Sequence, residues 1–253
     1  MVNTMYRIKL IFLTAISLLS ISTACSAEEL LDASLGPLLE KIKAVYGVNL
    51  HYTQGPVPKF IGLNYSLADI ENGPALKKAI ILFVQEISLY PKDFFRDADC
   101  QDIYFVQKLF YKQKPADGVF AEGTNYIFYD YSRRSDNTPK IRHNIHHEFY
   151  HLIGSKHPYW KKYGPAWEAL NRADFSYNKK YNSYERNPIN FYAPPEPGFI
   201  TDYAMVSAEE DRAEVFACMM IPEELTLMEQ WAQKDRILFK KMEMMKEFLK
   251  GTF

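Results

Sequence analysis

Apolar residues recur at helical spacing in two segments of the first half of the chain. The first segment, EELLDASLGPLLEKIKAVYG, ends at Gly47, and glycine is the residue that most often ends a helix. The second, GPALKKAIILFVQEISLYP, has Pro74 in its first turn and ends at Pro91. This second segment is apolar on more than one face. We therefore predict two helices here, and we expect the second to be buried.

Alternating, aromatic-rich runs elsewhere in this half predict strands. The runs are VNLHYT, QDIYFVQKLFY and TNYIFYDYS, and KPADGVFAEG between the last two has the composition of a turn with room for a short strand. These runs predict a small antiparallel or mixed sheet packed against helices. Because helices and strands are interspersed and helices then follow, the order favours an α+β fold.

Helical patterns return in the second half, on both sides of a long irregular segment. SDNTPKIRHNIHHEFYHLIG predicts a central helix, capped by Asn137 or Thr138 and ended by Gly154. Residues 155–200 are rich in Tyr, Asn and Pro and lack periodicity, which favours a long functional loop. SAEEDRAEVFACMM predicts another helix, and LTLMEQWAQKDRILFKKMEMMKEFLKG predicts a final amphipathic one.

The first 27 residues predict an export signal that is separate from the fold. A basic start that includes Arg7 precedes LIFLTAISLLSIST, an uncharged run too short to span a bilayer comfortably. Cys25 lies where a bacterial lipoprotein is cleaved and lipidated, but Ser22 stands where a Leu is usual, so release without a lipid stays open. We expect residues 28–253 to form one domain in the periplasm, at the cell surface or secreted, with membrane attachment only through Cys25.

Composition and charge narrow the classes of partner. A formal net charge of -1, with 24% charged and 47% hydrophobic residues, is typical of a folded soluble domain and gives no indication of nucleic acid or of an anionic membrane surface. Export would place Cys100 and Cys218 in an oxidising space. Whether these two cysteines pair depends on their separation in the fold, which the sequence does not contain.

The most specific chemical signal is the pattern H-E-x-x-H that begins at His147. On a helix, His147 and His151 lie on adjacent turns of one face, so two imidazoles can reach one metal ion. Glu148 then lies close enough to take a proton from a water that the metal activates. His143 lies on the same stripe and is expected near the site or in solvent, whereas His146 points elsewhere.

A catalytic zinc needs a third protein ligand, and the chain offers two candidates. His157 extends the motif to H-E-x-x-H-x-x-G-x-x-H, the metzincin pattern, with Gly154 at the bend and Met205 available for an underlying Met-turn. Glu210 is the rival. It shares a helix face with Glu214, so one carboxylate can bind the metal while the other accepts the free N–H of a ligating histidine.

The residues around Glu210 bear on this choice. Tyr203, seven residues earlier, can donate its hydroxyl to an oxyanion. A purely structural interpretation also exists, because Ser207 and Glu210 form the S-x-x-E pattern of a capping box. Glu209 and Asp211 are expected to be exposed charges.

The pairing of HHEFYH with GFITDYAMVSAEEDRAEVFA resembles the gluzincins, including the catalytic domain of anthrax lethal factor. It is more similar to a family of zinc-binding metallopeptidases found as exported bacterial proteins. W-x-x-L-N-x-x-x-F-x-Y, from Trp167 to Tyr177, adds to this likeness, which covers roughly residues 139–220.

The resemblance implies a zincin-like fold, in which a small sheet packs on the H-E-x-x-H helix and a C-terminal helical part follows. It also implies five site residues: His147, His151 and Glu210 as zinc ligands, Glu148 as general base, and Tyr203 as oxyanion stabiliser. Glu214 falls at the position of a carboxylate that contacts a zinc ligand without binding the zinc itself. This interpretation gives a role to all of these residues and leaves only His157 without one, so we choose Glu210.

The predicted activity is zinc-dependent hydrolysis of peptide bonds in a protein or peptide substrate, with Glu148 as general base. Two alternatives stay open. One is a metzincin-type protease with His157 as third ligand. The other is a non-catalytic surface lipoprotein in which four protein ligands, including both His157 and Glu210, close a structural zinc site.

Overall fold

The computed structural model describes residues 27–52, 60–67, 73–154, 157–178 and 194–252, with side chains from residue 35 onward. The predicted export signal and Cys25 lie outside the described residues. None of the described helices combines the length and the apolar character needed to cross a bilayer.

Helices and strands are mixed along the described residues, which confirms the predicted α+β class. The helices are α1 (Ala27–Tyr46), α2 (Gly73–Ile87), α3 (Phe94–Asp97), α4 (Thr138–Gly154), α5 (Pro158–Glu168), α6 (Ala208–Met220), α7 (Pro222–Ala232) and α8 (Arg236–Thr252). The strands are β1 (Asn49–His51), β2 (Leu63–Ser66), β3 (Asp102–Tyr111), β4 (Lys114–Pro115), β5 (Gly118–Ala121) and β6 (Tyr126–Asp130). A 3-10 turn covers Tyr203–Met205.

The six strands form one mixed sheet. Four of them follow the order β1-β3-β6-β5, and β2 and β4 each pair with β3. Strands β1 and β6 run parallel to β3, while β5 runs antiparallel to β6. The far half of β3 pairs with the short strands β2 and β4, both antiparallel. This arrangement leaves β5 at an edge, where it contacts α4, the helix that carries the H-E-x-x-H pattern.

An aromatic core anchors α4 between the sheet and α2. The ring of Phe149 lies edge-on to Phe83 of α2 at 5.8 Å and to Phe95 of α3 at 5.3 Å between centroids. All three rings are fully buried, and the burial of Phe83 agrees with the prediction that α2 is buried. Burial of each such side chain contributes about 1.5–3 kcal/mol. The opposite face of α4 is thereby turned towards α6, against which the helix packs.

The prediction that residues 155–200 form an irregular loop was wrong in part, because the segment contains α5. This helix starts after His157, whose side chain accepts the backbone N–H of Tyr159 at 3.2 Å, and Pro158 occupies its first turn. Trp167 faces the core and is fully buried. Pro165 inside the helix concealed the pattern, since proline is rare in a helix interior.

The prediction of one final amphipathic helix was also wrong, because α7 and α8 are separate helices. Asp235 stands between them, and its Oδ1 accepts the N–H groups of Ile237 and Leu238 at 2.9 and 3.0 Å. Its Oδ2 accepts the N–H of Gly198 from a distant part of the chain. The apolar spacing runs on through this break, so periodicity alone does not reveal it.

Cys100 and Cys218 are both buried, and neither forms a disulfide within the described residues. Cys100 lies two residues before β3, whereas Cys218 lies on α6. Burial raises the pKa of the Cys100 thiol to about 12, so this sulfur stays protonated and unreactive.

Candidate metal centre

Helix α4 presents two histidines on one face because its ends and its opposite face are fixed. The Asn137 side chain accepts the N–H of Lys140 at 3.0 Å and caps the first turn, which settles the predicted choice between Asn137 and Thr138. Phe149 holds the other face in the core. His147 and His151 therefore lie towards α6, which carries Glu210.

Three donor atoms from α4 and α6 lie close together. The Nε2 atoms of His147 and His151 are 3.0 Å apart. Oε2 of Glu210 lies 3.0 Å from Nε2 of His147 and 3.3 Å from Nε2 of His151. Zinc bonds of about 2.0–2.1 Å in tetrahedral geometry separate neighbouring ligand atoms by about 3.3 Å. The triangle thus has the dimensions of three ligands around one ion.

The environment of Glu210 fits a divalent cation. Its Oε2 is buried and accepts no hydrogen bond from the described residues, although a nitrogen of each imidazole lies within 3.3 Å. A buried anionic oxygen without a donor is unfavourable, and a cation at the centre of the triangle would satisfy it. Two imidazole nitrogens and one carboxylate oxygen form a donor set found in catalytic zinc sites.

The capping-box interpretation of Glu210 is confirmed for Ser207, which caps the helix, but not for the Glu210 side chain. Oγ of Ser207 accepts the N–H of Glu210 at 3.2 Å, so Ser207 caps α6 as the pattern predicts. The Glu210 side chain, however, faces the imidazoles of His147 and His151. The backbone of residue 210 therefore serves the helix, while its carboxylate is available to the site.

Burial and charge shift the acidities of these groups. Burial alone would lower the pKa of His151, but the carboxylates of Glu210, Glu209 and Glu148 together outweigh it and raise that pKa well above its ordinary value. Burial alone would raise the pKa of Glu210, yet His151 and His147 lower it below its ordinary value. For Glu148, burial raises the pKa above its ordinary value, although the imidazoles lower it in part.

Both imidazoles have a carboxylate behind them. Oε1 of Glu214 lies 2.8 Å from Nδ1 of His147, and its Oε2 accepts the hydroxyl of Thr201 at 2.6 Å. This contact holds the imidazole with Nε2 directed at the donor triangle. Oε1 of Glu209 lies 3.4 Å from Nδ1 of His151. Glu209 was predicted to be an exposed charge; its side chain is 46% exposed but still reaches the site.

Glu148 points towards the edge strand β5. Its Oε2 accepts the backbone N–H of Phe120 at 2.7 Å. A Cβ atom at Gly118 would lie 2.8 Å from Oε1 of Glu148 and 2.6 Å from Nδ2 of Asn144. The strand approaches the helix this closely only because residue 118 has no side chain.

Tyr203 lies beside the first histidine. Its ring centroid is 5.7 Å from that of His147. The 3-10 turn that carries Tyr203 is held by the N–H of Ala204, which donates to Oγ1 of Thr201 at 3.0 Å. Met205, considered for a Met-turn, is buried in a small cluster with Phe199 and Ala204.

His157 does not join the donor triangle. It belongs to none of the groups of His, Cys, Asp and Glu donors in the described residues that could share an ion. Its ring lies edge-on to Phe248 at 5.0 Å, and its Nδ1 caps α5. The glycine at position 154 is also explained by packing, because a Cβ there would lie 2.6 Å from Cζ of Tyr150. The metzincin-like spacing thus arises from one cap and one packing contact.

Residues 39–253 match the model of the family described as "Putative zinc-binding metallo-peptidase". The chain belongs to this family. A similar solved structure is the "Crystal structure of a putative zinc-binding metallo-peptidase from Bacteroides caccae ATCC 43185". It is 20% identical in sequence, covers 92% of this chain and 89% of its own, and superposes with a TM-score of 0.56, which shows a shared fold. No curated protein matches the chain.

The W-x-x-L-N-x-x-x-F-x-Y pattern that suggested this metallopeptidase family converges on one buried carboxylate. Oδ2 of Asp211 accepts Nε1–H of Trp167 and the hydroxyl of Tyr177, both at 2.8 Å. It also accepts Nζ–H of Lys241 at 2.7 Å. Asp211 is fully buried, so the prediction of an exposed charge was wrong. The three donors to Asp211 are remote from it in sequence. Their hydrogen bonds hold α6 in place at the residue next to Glu210.

Proposed function

We propose that this member of the metallopeptidase family is an exported zinc-dependent endopeptidase, with His147, His151 and Glu210 as zinc ligands and Glu148 as general base. The observation that carries the proposal is the triangle of two imidazole nitrogens and one carboxylate oxygen, with edges of 3.0, 3.0 and 3.3 Å. The description of the family, which names both zinc and peptidase, supports it.

The reaction proposed is hydrolysis of a peptide bond by water. His147, His151 and Glu210 would hold the zinc ion, which would leave one position for water, lower the pKa of that water towards neutrality and polarise the scissile carbonyl. Glu148 accepts a proton from the attacking water while the oxygen of that water bonds to the carbonyl carbon. Glu148 then gives that proton to the amide nitrogen as the C–N bond breaks. The hydroxyl of Tyr203 donates to the carbonyl oxygen as negative charge develops on it.

The backbone contact of Glu148 suits this role. Its Oε2 is held by the N–H of Phe120, so the carboxylate is oriented before a substrate arrives. Burial, which raises the pKa of Glu148, makes the protonated form easier to reach and thus favours a group that must both accept and return a proton.

A closed structural zinc site receives less support from the geometry. Such a site usually has four protein ligands, and the sequence offered His157 as the fourth. His157 instead caps α5 and packs on Phe248. Around the donor triangle, the described residues that could share one ion are His147, His151 and Glu210, which leaves one position for water.

The peptidase proposal is tested with the purified, zinc-loaded protein and a library of quenched fluorescent peptides. Glu148→Gln keeps the shape of the side chain and removes the base, so we expect one zinc per chain and a loss of turnover of about 10²–10⁴-fold. Glu243→Gln makes the same chemical change on the surface of α8, where Glu243 pairs with Lys246, and should leave turnover unchanged. Equal hydrolysis by wild type and Glu148→Gln would refute the mechanism.

Export is the part of the proposal that rests on sequence alone. Arg7 and the apolar run after it support a signal, and Cys25 supports a lipid anchor. Expression in a bacterial host with a labelled fatty acid separates the outcomes. We expect the chain outside the cytoplasm. Label that is lost in Cys25→Ser indicates lipidation, an exported unlabelled chain indicates soluble release, and a full-length cytoplasmic chain contradicts export.

A further inference from the structure

Behind His147, imidazole and carboxylate groups alternate through the interior towards α7. Oε1 of Glu214 lies 2.8 Å from Nδ1 of His147 and 3.1 Å from Nε2 of His143. The other ring nitrogen of His143, Nδ1, lies 2.7 Å from Oε2 of Glu224 on α7. His143, Glu214 and Glu224 are each at most 3% exposed.

The chemistry of these contacts makes His143 a hydrogen-bond donor to both Glu214 and Glu224. Ionised carboxylates only accept hydrogen bonds, so each nitrogen of His143 that faces one must carry a proton. Oε1 of Glu214 then receives two N–H groups, one from His147 and one from His143, and its Oε2 receives the hydroxyl of Thr201. With both oxygens engaged, the Glu214 carboxylate has one orientation.

His146 shows what a purely structural histidine on the same helix looks like. It is as deeply buried as His143, and its nitrogens lie 2.9 Å from Oε2 of Glu86 and 2.6 Å from the hydroxyl of Tyr90. These contacts tie α4 to α2 and the segment that follows it. The difference is that Glu214, the partner of His143, also holds His147 of the donor triangle.

A second metal site is the competing interpretation of this region. Donor atoms of His143, Cys218 and Glu224 lie close enough together to share an ion. However, both nitrogens of His143 already face carboxylates at hydrogen-bond distance, so neither has a lone pair available for a metal. Burial raises the pKa of the Cys218 thiol, so a thiolate ligand is disfavoured as well.

We propose that His143, oriented by Glu224, is a positioning residue that locks Glu214 against His147 and thereby sets the affinity and coordination geometry of the metal centre. This inference rests on the proposed function only in taking His147 as a metal ligand. Partners behind a ligating histidine typically change metal affinity 10–100-fold when they are removed.

Two substitutions of His143 separate its two contacts. The amide of His143→Gln can still donate to Glu214 from near the position of Nε2, whereas the shorter His143→Asn can reach only towards Glu224. We expect His143→Asn to weaken zinc binding by about 10–100-fold and His143→Gln to stay within about threefold of wild type. Zinc affinity is measured by competition with a chromophoric chelator, and geometry by the visible spectrum of the cobalt(II)-substituted protein.

The matched control is His146→Asn, the same chemical change on the same helix. It should lower the melting temperature of the metal-free protein about as much as His143→Asn does, with zinc affinity and cobalt spectrum unchanged. Equal loss of affinity in His143→Asn and His143→Gln, or in His146→Asn, would overturn the proposal. So would a second zinc per chain that disappears in Cys218→Ala. Neither readout is hydrolysis, so failure to cleave any peptide would refute the proposed function and leave this inference standing.

Discussion

Gly118 on the edge strand lies directly against the carboxylate of Glu148 on α4. A Cβ atom at position 118 would lie 2.8 Å from both Cγ and Oε1 of Glu148. Two residues further along the strand, the N–H of Phe120 donates to Oε2 of the same side chain. The edge of the sheet therefore sets where the proposed general base lies, as much as the helix that carries it.

Replacement of Gly118 by alanine should displace Glu148 while leaving the donor triangle in place. A shift of about 1 Å in a catalytic group can cost about 10²-fold in rate, so we expect a loss of that order in peptide hydrolysis with one zinc per chain retained. Turnover and metal content are measured on the same sample. Gly36→Ala is the control, because a Cβ there meets nothing within 4 Å. Wild-type turnover in Gly118→Ala would contradict the role of the strand.

The two candidates for the third ligand can be separated by stability and metal content. His157→Ala removes the cap of α5, so it should cost about 0.5–2 kcal/mol in unfolding free energy while zinc is retained. Glu210→Ala should instead abolish stoichiometric zinc binding, because it removes one corner of the triangle. Urea unfolding and elemental analysis provide the two measurements. The reverse pattern, with zinc lost in His157→Ala and kept in Glu210→Ala, would restore the metzincin interpretation.

Tyr203→Phe tests the proposed oxyanion donor. The substitution keeps the ring beside His147 and removes only the hydroxyl, so zinc affinity and KM should change little. Loss of one oxyanion donor typically lowers kcat about 10²–10³-fold, and steady-state kinetics would detect this. Tyr163→Phe, on the exposed surface of α5, is the matched control. A kcat in Tyr203→Phe equal to that of the control would remove Tyr203 from the mechanism.

The buried pair of Asp211 and Lys241 should be a large contributor to stability when either partner is removed alone. Both side chains are fully buried, with Nζ of Lys241 2.7 Å from Oδ2 of Asp211. Lys241→Met leaves an uncompensated buried carboxylate and should cost about 3–5 kcal/mol in urea unfolding. The double variant Asp211→Asn with Lys241→Met should recover much of that loss. A double variant as unstable as the sum of the two single ones would show that the charges do not interact.

Several features could be predicted because they depend on near neighbours in sequence. Glycine, proline and capping residues mark the ends of α1, α4 and α6, and Gly47 does adopt a positive φ of 70° after α1. The mistaken elements are those in which a local signal is ambiguous. Pro165 lies inside α5, where proline is rare, and the continuous apolar spacing across Asp235 concealed the break between α7 and α8.

Side-chain environments were harder to predict than elements. Asp211 carries the same local signals as Glu209, its neighbour on α6, yet one is fully buried and the other half exposed. The difference comes from Trp167, Tyr177 and Lys241, which approach Asp211 from remote parts of the chain. Sequence spacing contains no information about such contacts, because they depend on how the helices pack.

The sequence by itself determined the α+β class and the shared face of His147 and His151, because a helical repeat of 3.6 residues makes residues four apart neighbours wherever the helix lies. Spacing alone left both His157 and Glu210 open as the third ligand, and the sequence favoured Glu210 through the family resemblance and the role it gives to Tyr203 and Glu214. Only the tertiary structure decided which of them meets the two imidazoles. The reason is that α6 packs along α4 and brings Glu210 to them, while His157 is held at the start of α5 by its own cap and by Phe248.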